Sequence, residues 1–141
     1  MTAVSKAHTV WKGPLMEGSG TVSLESSGAG THDLTWDARS TGASGATTPE
    51  ELLGAAHSAC FSMALANALT AAGTPPEDLS TGADVSFDPA KGITGIRLYV
   101  VGRVEGLSED DFRIEAERAK KNCPVSQALK GVPVELSASL R

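Results

Sequence analysis

The chain has 141 residues, a formal net charge of −5 and 40% hydrophobic residues, which suits a single folded domain over residues 1–141 rather than a disordered chain. An acidic chain with only two Trp, one Tyr and three Phe lacks the basic surface and the stacking side chains that nucleic acids require, so nucleic acid is excluded as a partner. The first residues lack the apolar stretch of a signal peptide and no run of 18 apolar residues is present, so a cytoplasmic location without membrane contact is expected.

The first third of the chain is predicted to be β-structure. Three short runs show partial alternation of apolar and polar residues, and turns rich in glycine and serine separate them. The third run ends at Arg39, which places this residue at the end of a strand, before a glycine-rich segment. The three runs are residues 7–13, 20–26 and 32–39.

A long helix is predicted next. Thr48 suits the N-cap, Pro49 the first helical position, and Glu51 completes a capping box. The stretch "GTPPEDLS" ends the helix near Ala72. Because this helix is apolar on nearly all sides and a small sheet can cover only one face, the pattern predicts a homodimer that packs two such helices together.

The remaining sequence predicts a β-hairpin, two helices and a final strand. The hairpin turns at "PAKG", Ser108 caps an amphipathic helix, and Pro124 opens a separate short helix. The resulting order is three strands, a helix, two strands, two helices and a final strand, which is that of an α+β fold. The predicted elements cover residues 80–88, 93–106, 107–122, 122–131 and 132–140.

Two cysteines carry the candidate chemistry, because thiols in a reducing compartment are more often free or reactive than structurally bridged. Cys60 lies in the middle of the long helix among small alanines. It is either an inert buried residue or a nucleophile with room for a small substrate beside it. Cys123 occupies the predicted N-cap of the helix that Pro124 opens, where the dipole and free N–H groups lower the pKa of a thiol. From the residues alone, Cys123 is the better-activated thiol. The alternative is that a cysteine occupies this N-cap position only because of its size.

Three further side chains are candidates. His57, one turn before Cys60, could form the Cys–His pair that activates cysteine hydrolases, or it could be a core or interface histidine. A zinc site that combines His57 with the cysteines lacks CxxC or HxxxH spacing. Arg39 could supply the cation that an apolar thiolate pocket needs, and Glu50 is an acid that the capping box leaves unexplained. A non-catalytic protein that binds a ligand beside Cys60 is a further reading.

The motifs "TPEELLGAAHSACFSMALA" and "NCPVSQALKG", with "ADVSFD" between them, resemble the OsmC/Ohr family of osmotically inducible and organic hydroperoxide resistance proteins. The resemblance covers essentially the whole chain and favours the OsmC branch. It implies an intertwined α+β homodimer in which antiparallel sheets wrap around the long cysteine-bearing helices. It also implies a thiol peroxidase of the oxidative and osmotic stress response, which reduces organic hydroperoxides and hydrogen peroxide without a metal, haem or flavin.

The resemblance also implies roles for individual residues. Cys60 becomes the peroxidatic thiol and Cys123 the resolving thiol that closes a Cys60–Cys123 disulfide, which reverses the ranking that the residues alone favoured. Arg39 matches the arginine that steadies the thiolate, and Glu50 the glutamate that orients it. An external dithiol would reduce the disulfide, and in related proteins a lipoylated protein often serves.

The separation of Glu50 from Cys60 predicts how such a site is assembled. Ten residues on one helix correspond to about 15 Å along its axis and roughly 80° around it, which no Glu side chain spans. If Glu50 acts in catalysis, it must therefore reach the Cys60 of a second copy of the chain. Each active site would then be built from two chains.

Overall fold

The structure, a computed structural model, describes residues 1–141. The chain forms two compact units, residues 1–49 and 50–141. The mixture of helices and strands confirms the α+β class, whereas the single domain and the homodimer stay predictions. The elements are β1 (Ala7–Lys12), β2 (Ser19–Leu24), β3 (Gly30–Leu34), α1 (Trp36–Thr41), α2 (Pro49–Ala71), β4 (Asp78–Asp88), β5 (Gly92–Arg103), α3 (Glu109–Asn122), α4 (Pro124–Ala128) and β6 (Val134–Leu140).

The three strands predicted for the first third form an antiparallel meander in the order β1-β2-β3, but the third strand is shorter than expected. It stops at Leu34, and Arg39 lies in helix α1 rather than at the end of a strand. The Thr35 hydroxyl accepts a hydrogen bond from the Ala38 N–H at 3.1 Å, and Gly42 ends the helix with a φ of 76°. Caps at both ends favour a helix over continued strand alternation.

The second unit contains a mixed sheet in the order β4-β5-β6. The antiparallel pairing of β4 with β5 confirms the predicted hairpin. The sheet departs from the expected antiparallel pairing at one edge, where β6 runs parallel to β5. Helices α3 and α4 connect these two strands, and such a crossover returns the chain to the end at which β5 began.

Helix α2 confirms the predicted long helix and contributes one face to the core of the second unit. Its buried positions follow helical spacing and include Gly54, His57 and Phe61. A Cβ at Gly54 would lie 2.8 Å from the Ala83 carbonyl oxygen, so the helix backbone comes close to strand β4. The hydrophobic core joins α2 with β5 and α3 through the buried residues Phe61, Leu65, Leu69, Ile96, Leu98, Val100, Phe112, Ala116 and Ala119.

The opposite face of α2 is apolar and exposed. It presents Ala55, Ala59 and Met63, and Met63 has 72% of its surface exposed. Helix α2 is also long and apolar enough by composition to cross a membrane, with a mean hydropathy of 1.4 over 18 residues. The expectation that no segment of the chain could span a membrane is therefore wrong. Ser, His and Asn residues interrupt the apolar run of α2, but they leave its mean hydropathy high. Core helices of soluble proteins have the same composition.

The last helices follow the predicted signals. The Ser108 hydroxyl accepts a hydrogen bond from the Asp111 N–H at 3.1 Å, which confirms it as the cap of α3. Pro124 is the first residue of α4, and Cys123 directly precedes it. The end of α3 and the start of α4 therefore bracket the second cysteine.

Candidate active site

The two cysteines meet at the contact between α2 and the start of α4. Cys60 is half-buried in the middle of α2, Cys123 is completely buried, and both are free thiols. The Cys123 side chain is hydrogen-bonded to Cys60. Both pack against the same hydrophobic core, which Val125 and Leu129 also line. The structure thus places side by side the two thiols that the sequence indicated as candidates.

Three effects act on the Cys60 thiol. Burial raises its pKa, a hydrogen bond from the Val125 backbone N–H lowers it, and the Cys123 side chain raises it through its hydrogen bond and its charge. The sum leaves the pKa of Cys60 above its ordinary value. None of these three effects comes from a cation, and a positive charge beside Cys60 would favour its thiolate.

The start of α4 donates a backbone hydrogen bond to Cys60. Cys123 is the N-cap residue, as predicted, but its side chain makes no capping hydrogen bond. The N–H group that reaches a thiol is that of Val125, and the thiol is Cys60. The activation of Cys123 that the sequence predicts therefore does not come from a capping hydrogen bond, and it stays a prediction. The sequence identified the helix, but it could not show towards which sulfur the N–H groups point.

His57 does not pair with a cysteine. Its side chain is completely buried, and its Nε2 lies 2.7 Å from the Ser126 Oγ. Its Nδ1 is buried and has no hydrogen-bond partner, and burial lowers the pKa of the imidazole. The Cys–His pair of a hydrolase is therefore not formed. Sequence analysis missed Ser126, for which the one available signal is its position three residues after Cys123 in "CPVSQ".

Arg39 belongs to the first unit, in the last turn of α1. It lines a cavity of about 300 Å³ within residues 1–49. The other residues around this cavity are apolar or aromatic except for one threonine: Trp11, Leu15, Leu34, Thr35, Trp36 and Pro49. Such a cavity suits an arginine because a guanidinium is less strongly hydrated than an ammonium. Arg39 is a suitable cation for an apolar site.

Glu50 is buried in the first turn of α2, with 5% of its surface exposed. Because α2 is one continuous helix from Pro49 to Ala71, Glu50 lies about 15 Å along the axis from Cys60 of the same chain. The structure therefore does not bring these two predicted site residues together within one chain. No group of three or more His, Cys, Asp or Glu side chains is arranged to hold a metal ion.

Comparison with known proteins relates this arrangement to a family. The family model described as OsmC-like protein matches residues 41–137, which include both cysteines, His57 and Glu50. The chain belongs to the OsmC-like family. This membership confirms the resemblance that the cysteine motifs indicated, and Arg39 lies just before the matched segment of this OsmC-like protein.

Similar proteins extend the match to almost the whole chain. The OsmC-like protein is 43% identical to "Peroxiredoxin OsmC" of Escherichia coli (strain K12) over 133 residues, which cover 92% of each chain. The relative of the same name in Shigella flexneri matches with the same identity and coverage. A crystal structure of an organic hydroperoxide resistance protein OsmC from Legionella pneumophila superposes with a TM-score of 0.70 at 28% identity, covering 98% of this chain and 99% of that one. The OsmC-like protein is accordingly a cysteine-based peroxidase.

Proposed function

We propose that this protein reduces organic hydroperoxides, and hydrogen peroxide as well, in defence against oxidative and osmotic stress. The Cys60 thiolate attacks the distal peroxide oxygen, the O–O bond breaks, and the leaving alkoxide takes a proton to become the alcohol. Cys60 is then a sulfenic acid. The Cys123 sulfur attacks the Cys60 sulfur, the S–O bond breaks, water leaves, and a Cys60–Cys123 disulfide remains. An external dithiol, for which a lipoylated protein is suited, reduces it by thiol–disulfide exchange.

The placement of the Cys123 side chain beside Cys60, against the same core, carries this proposal. Because the thiols are in contact before oxidation, a disulfide between them requires little movement of α2 or α4. The apolar residues beside them, Phe61, Val125 and Leu129, favour organic peroxides over hydrogen peroxide, since they contribute no polar partner for a small hydrophilic oxidant. The organic hydroperoxide resistance named for the Legionella relative agrees with this preference.

The raised pKa of Cys60 supports a role for Arg39 as the missing cation and for Glu50 as the carboxylate that orients the charged groups. Because Glu50 cannot reach Cys60 along its own helix, the proposed active unit is a homodimer with each site built from two chains. The exposed apolar face of α2 supports this assembly. Two free thiols also suit a reducing compartment, so the cytoplasm is the proposed location.

Intact-mass analysis after one equivalent of cumene hydroperoxide tests the proposed reaction. The wild-type chain should lose two hydrogens and all free thiol. The Cys123→Ser variant should instead gain one oxygen at Cys60, and Cys60→Ser should not react. Full peroxidase activity in Cys60→Ser would show that the roles of the two thiols are reversed.

A further inference from the structure

His57 is a buried titratable residue that the proposed reaction does not use. It lies on the buried face of α2 between Gly54 and Phe61, with no exposed surface. Its Nδ1 has no partner, and an unmet buried polar atom is unfavourable. An apolar side chain would avoid this penalty. What a histidine adds at this position is its one hydrogen bond, between Nε2 and the Ser126 Oγ at 2.7 Å.

The two nitrogens of His57 assign the direction of this hydrogen bond. If Ser126 donated to Nε2, then Nδ1 would carry the proton and would be a buried N–H without an acceptor. Buried N–H groups without a partner are rarer than unmet acceptors. The favoured tautomer therefore carries its proton on Nε2 and donates to Ser126, and Nδ1 keeps only an unused lone pair. Burial lowers the pKa of His57, which keeps this neutral form at neutral pH.

Ser126 belongs to the turn of α4 that also serves the thiols. This turn begins after Cys123 and contains Val125, whose N–H is hydrogen-bonded to Cys60. On α2, His57 lies one turn before Cys60. The same two turns are therefore joined at the thiols and again at the His57–Ser126 hydrogen bond. A helix of five residues such as α4 is not stable alone and depends on contacts of this kind to hold its place.

We propose that His57 is a positioning residue for disulfide closure: through Ser126 it holds α4 so that Cys123 stays beside the oxidised Cys60. The inference rests on the proposed function, because it concerns the second step of that reaction. In this step the Cys123 sulfur displaces hydroxide from the Cys60 sulfenic acid, and the Cys123 proton leaves with it as water. When α4 is held less firmly, the sulfenic acid persists, and a second peroxide converts it to sulfinic acid.

Rapid-quench mass spectrometry separates the two steps. Wild type and Ser126→Ala are mixed with one equivalent of cumene hydroperoxide, and the sulfenic acid is trapped with dimedone at successive times. In Ser126→Ala we expect closure of the disulfide to slow at least tenfold, so that the dimedone adduct accumulates, whereas oxidation of Cys60 slows less. With excess peroxide the same variant should gain two oxygens at Cys60. Ser126→Thr, which keeps a hydroxyl, should restore closure.

Matched variants separate positioning from general damage. Ser58→Ala removes a hydroxyl on α2 that bonds only within its own helix, to the Ala55 carbonyl oxygen, and it should close at the wild-type rate. The double variant His57→Leu/Ser126→Ala should close no more slowly than the slower single variant, because both changes remove the same bond. If Ser126→Ala does not fold, His57→Gln, which retains a donor, and His57→Leu, which does not, give the same comparison.

The outcomes distinguish this inference from the proposed function. Closure at the wild-type rate in Ser126→Ala and His57→Leu, or additive effects in the double variant, overturns the role of His57 and leaves the peroxidase reaction intact. A wild-type chain that shows no peroxide-dependent change in mass overturns the proposed reaction itself. Nitrogen chemical shifts of the imidazole provide an independent readout, because a proton on Nδ1 would refute the assigned direction of the bond.

Discussion

The separation of Glu50 from Cys60 along α2 predicts complementation between chains. Both residues lie on one uninterrupted helix, ten residues apart, which gives about 15 Å along the axis. A fully extended Glu side chain reaches about 5 Å, since it has four bonds of about 1.5 Å each. The Glu50 carboxylate therefore stays more than about 6 Å from the Cys60 sulfur of its own chain even at full extension. Glu50 can contribute to the reaction at Cys60 only across a dimer.

The assay uses purified dimers with a different tag on each chain. One chain carries Glu50→Ala and the other carries Cys60→Ser. In the two-chain arrangement, one of the two sites keeps both an intact Cys60 and an intact Glu50. The expected peroxidase activity is therefore about half that of the wild-type dimer. The Cys60→Ser homodimer should be inactive, and the activity of the Glu50→Ala homodimer should be at least tenfold lower than that of the wild type, which corresponds to about 1.4 kcal/mol of transition-state stabilisation.

The matched control places both substitutions in one chain and pairs it with a wild-type chain. In the two-chain arrangement this dimer has no complete site and only one Cys60, so it should have about half the residual activity of the Glu50→Ala homodimer. If each site were built from one chain, the control would instead keep half of the activity and the first mixed dimer would lose it. This reversed pattern would refute the geometric reasoning, and equal activities in the two mixed dimers would refute a role for Glu50.

Three further predictions concern charge, packing and pH. Arg39→Lys should lower kcat/KM at least tenfold, because lysine keeps the charge but loses the planar fork that can hold a thiolate and a carboxylate together; near-normal turnover would assign the cation to another residue. Gly54→Ala should lower the free energy of unfolding by about 1–3 kcal/mol despite the higher helix propensity of alanine, because its Cβ would lie 2.8 Å from the Ala83 carbonyl oxygen. Gly131→Ala, with open space around it, should not lower it, and equal urea midpoints for the two variants would contradict this prediction. Because burial lowers the pKa of His57, His57 binds a proton below about pH 6.5 in the unfolded chain but not in the folded chain. The free energy of unfolding should therefore decrease as the pH is lowered below this value, by at most about 1.4 kcal/mol per pH unit. Urea titrations should show a smaller decrease in His57→Gln.

Local signals in the sequence predicted the elements well where the caps are distinctive. Helix α2 begins at Pro49 and ends at Ala71, within one residue of the expected ends, and Ser108 caps α3 as expected. Helix α1 was missed because Thr35 is as typical of a strand as of an N-cap. The parallel pairing of β6 was missed because the partner of a strand is decided by the path of the chain between them.

The candidate site shows the same division between local and distant information. Both cysteines were found from their local patterns, and the structure brings them together. The His57–Ser126 hydrogen bond joins residues 69 positions apart, and nothing in the pattern around either residue indicates the other. The Val125 N–H was missed because it is a backbone group, which every residue except proline has, so side-chain identity does not reveal it.

The order of the elements along the chain has a consequence for synthesis on the ribosome. Helix α2 is complete at Ala71, but the core partners of Phe61 and Leu65 lie in β5 and in α3, which ends at Asn122. About 50 residues must therefore be translated after α2 before its buried face can be covered, which takes roughly 3–10 s at 5–20 residues per second. During that interval the nascent chain carries a segment as apolar as a membrane span. We expect this segment to be the part of the emerging protein that chaperones bind.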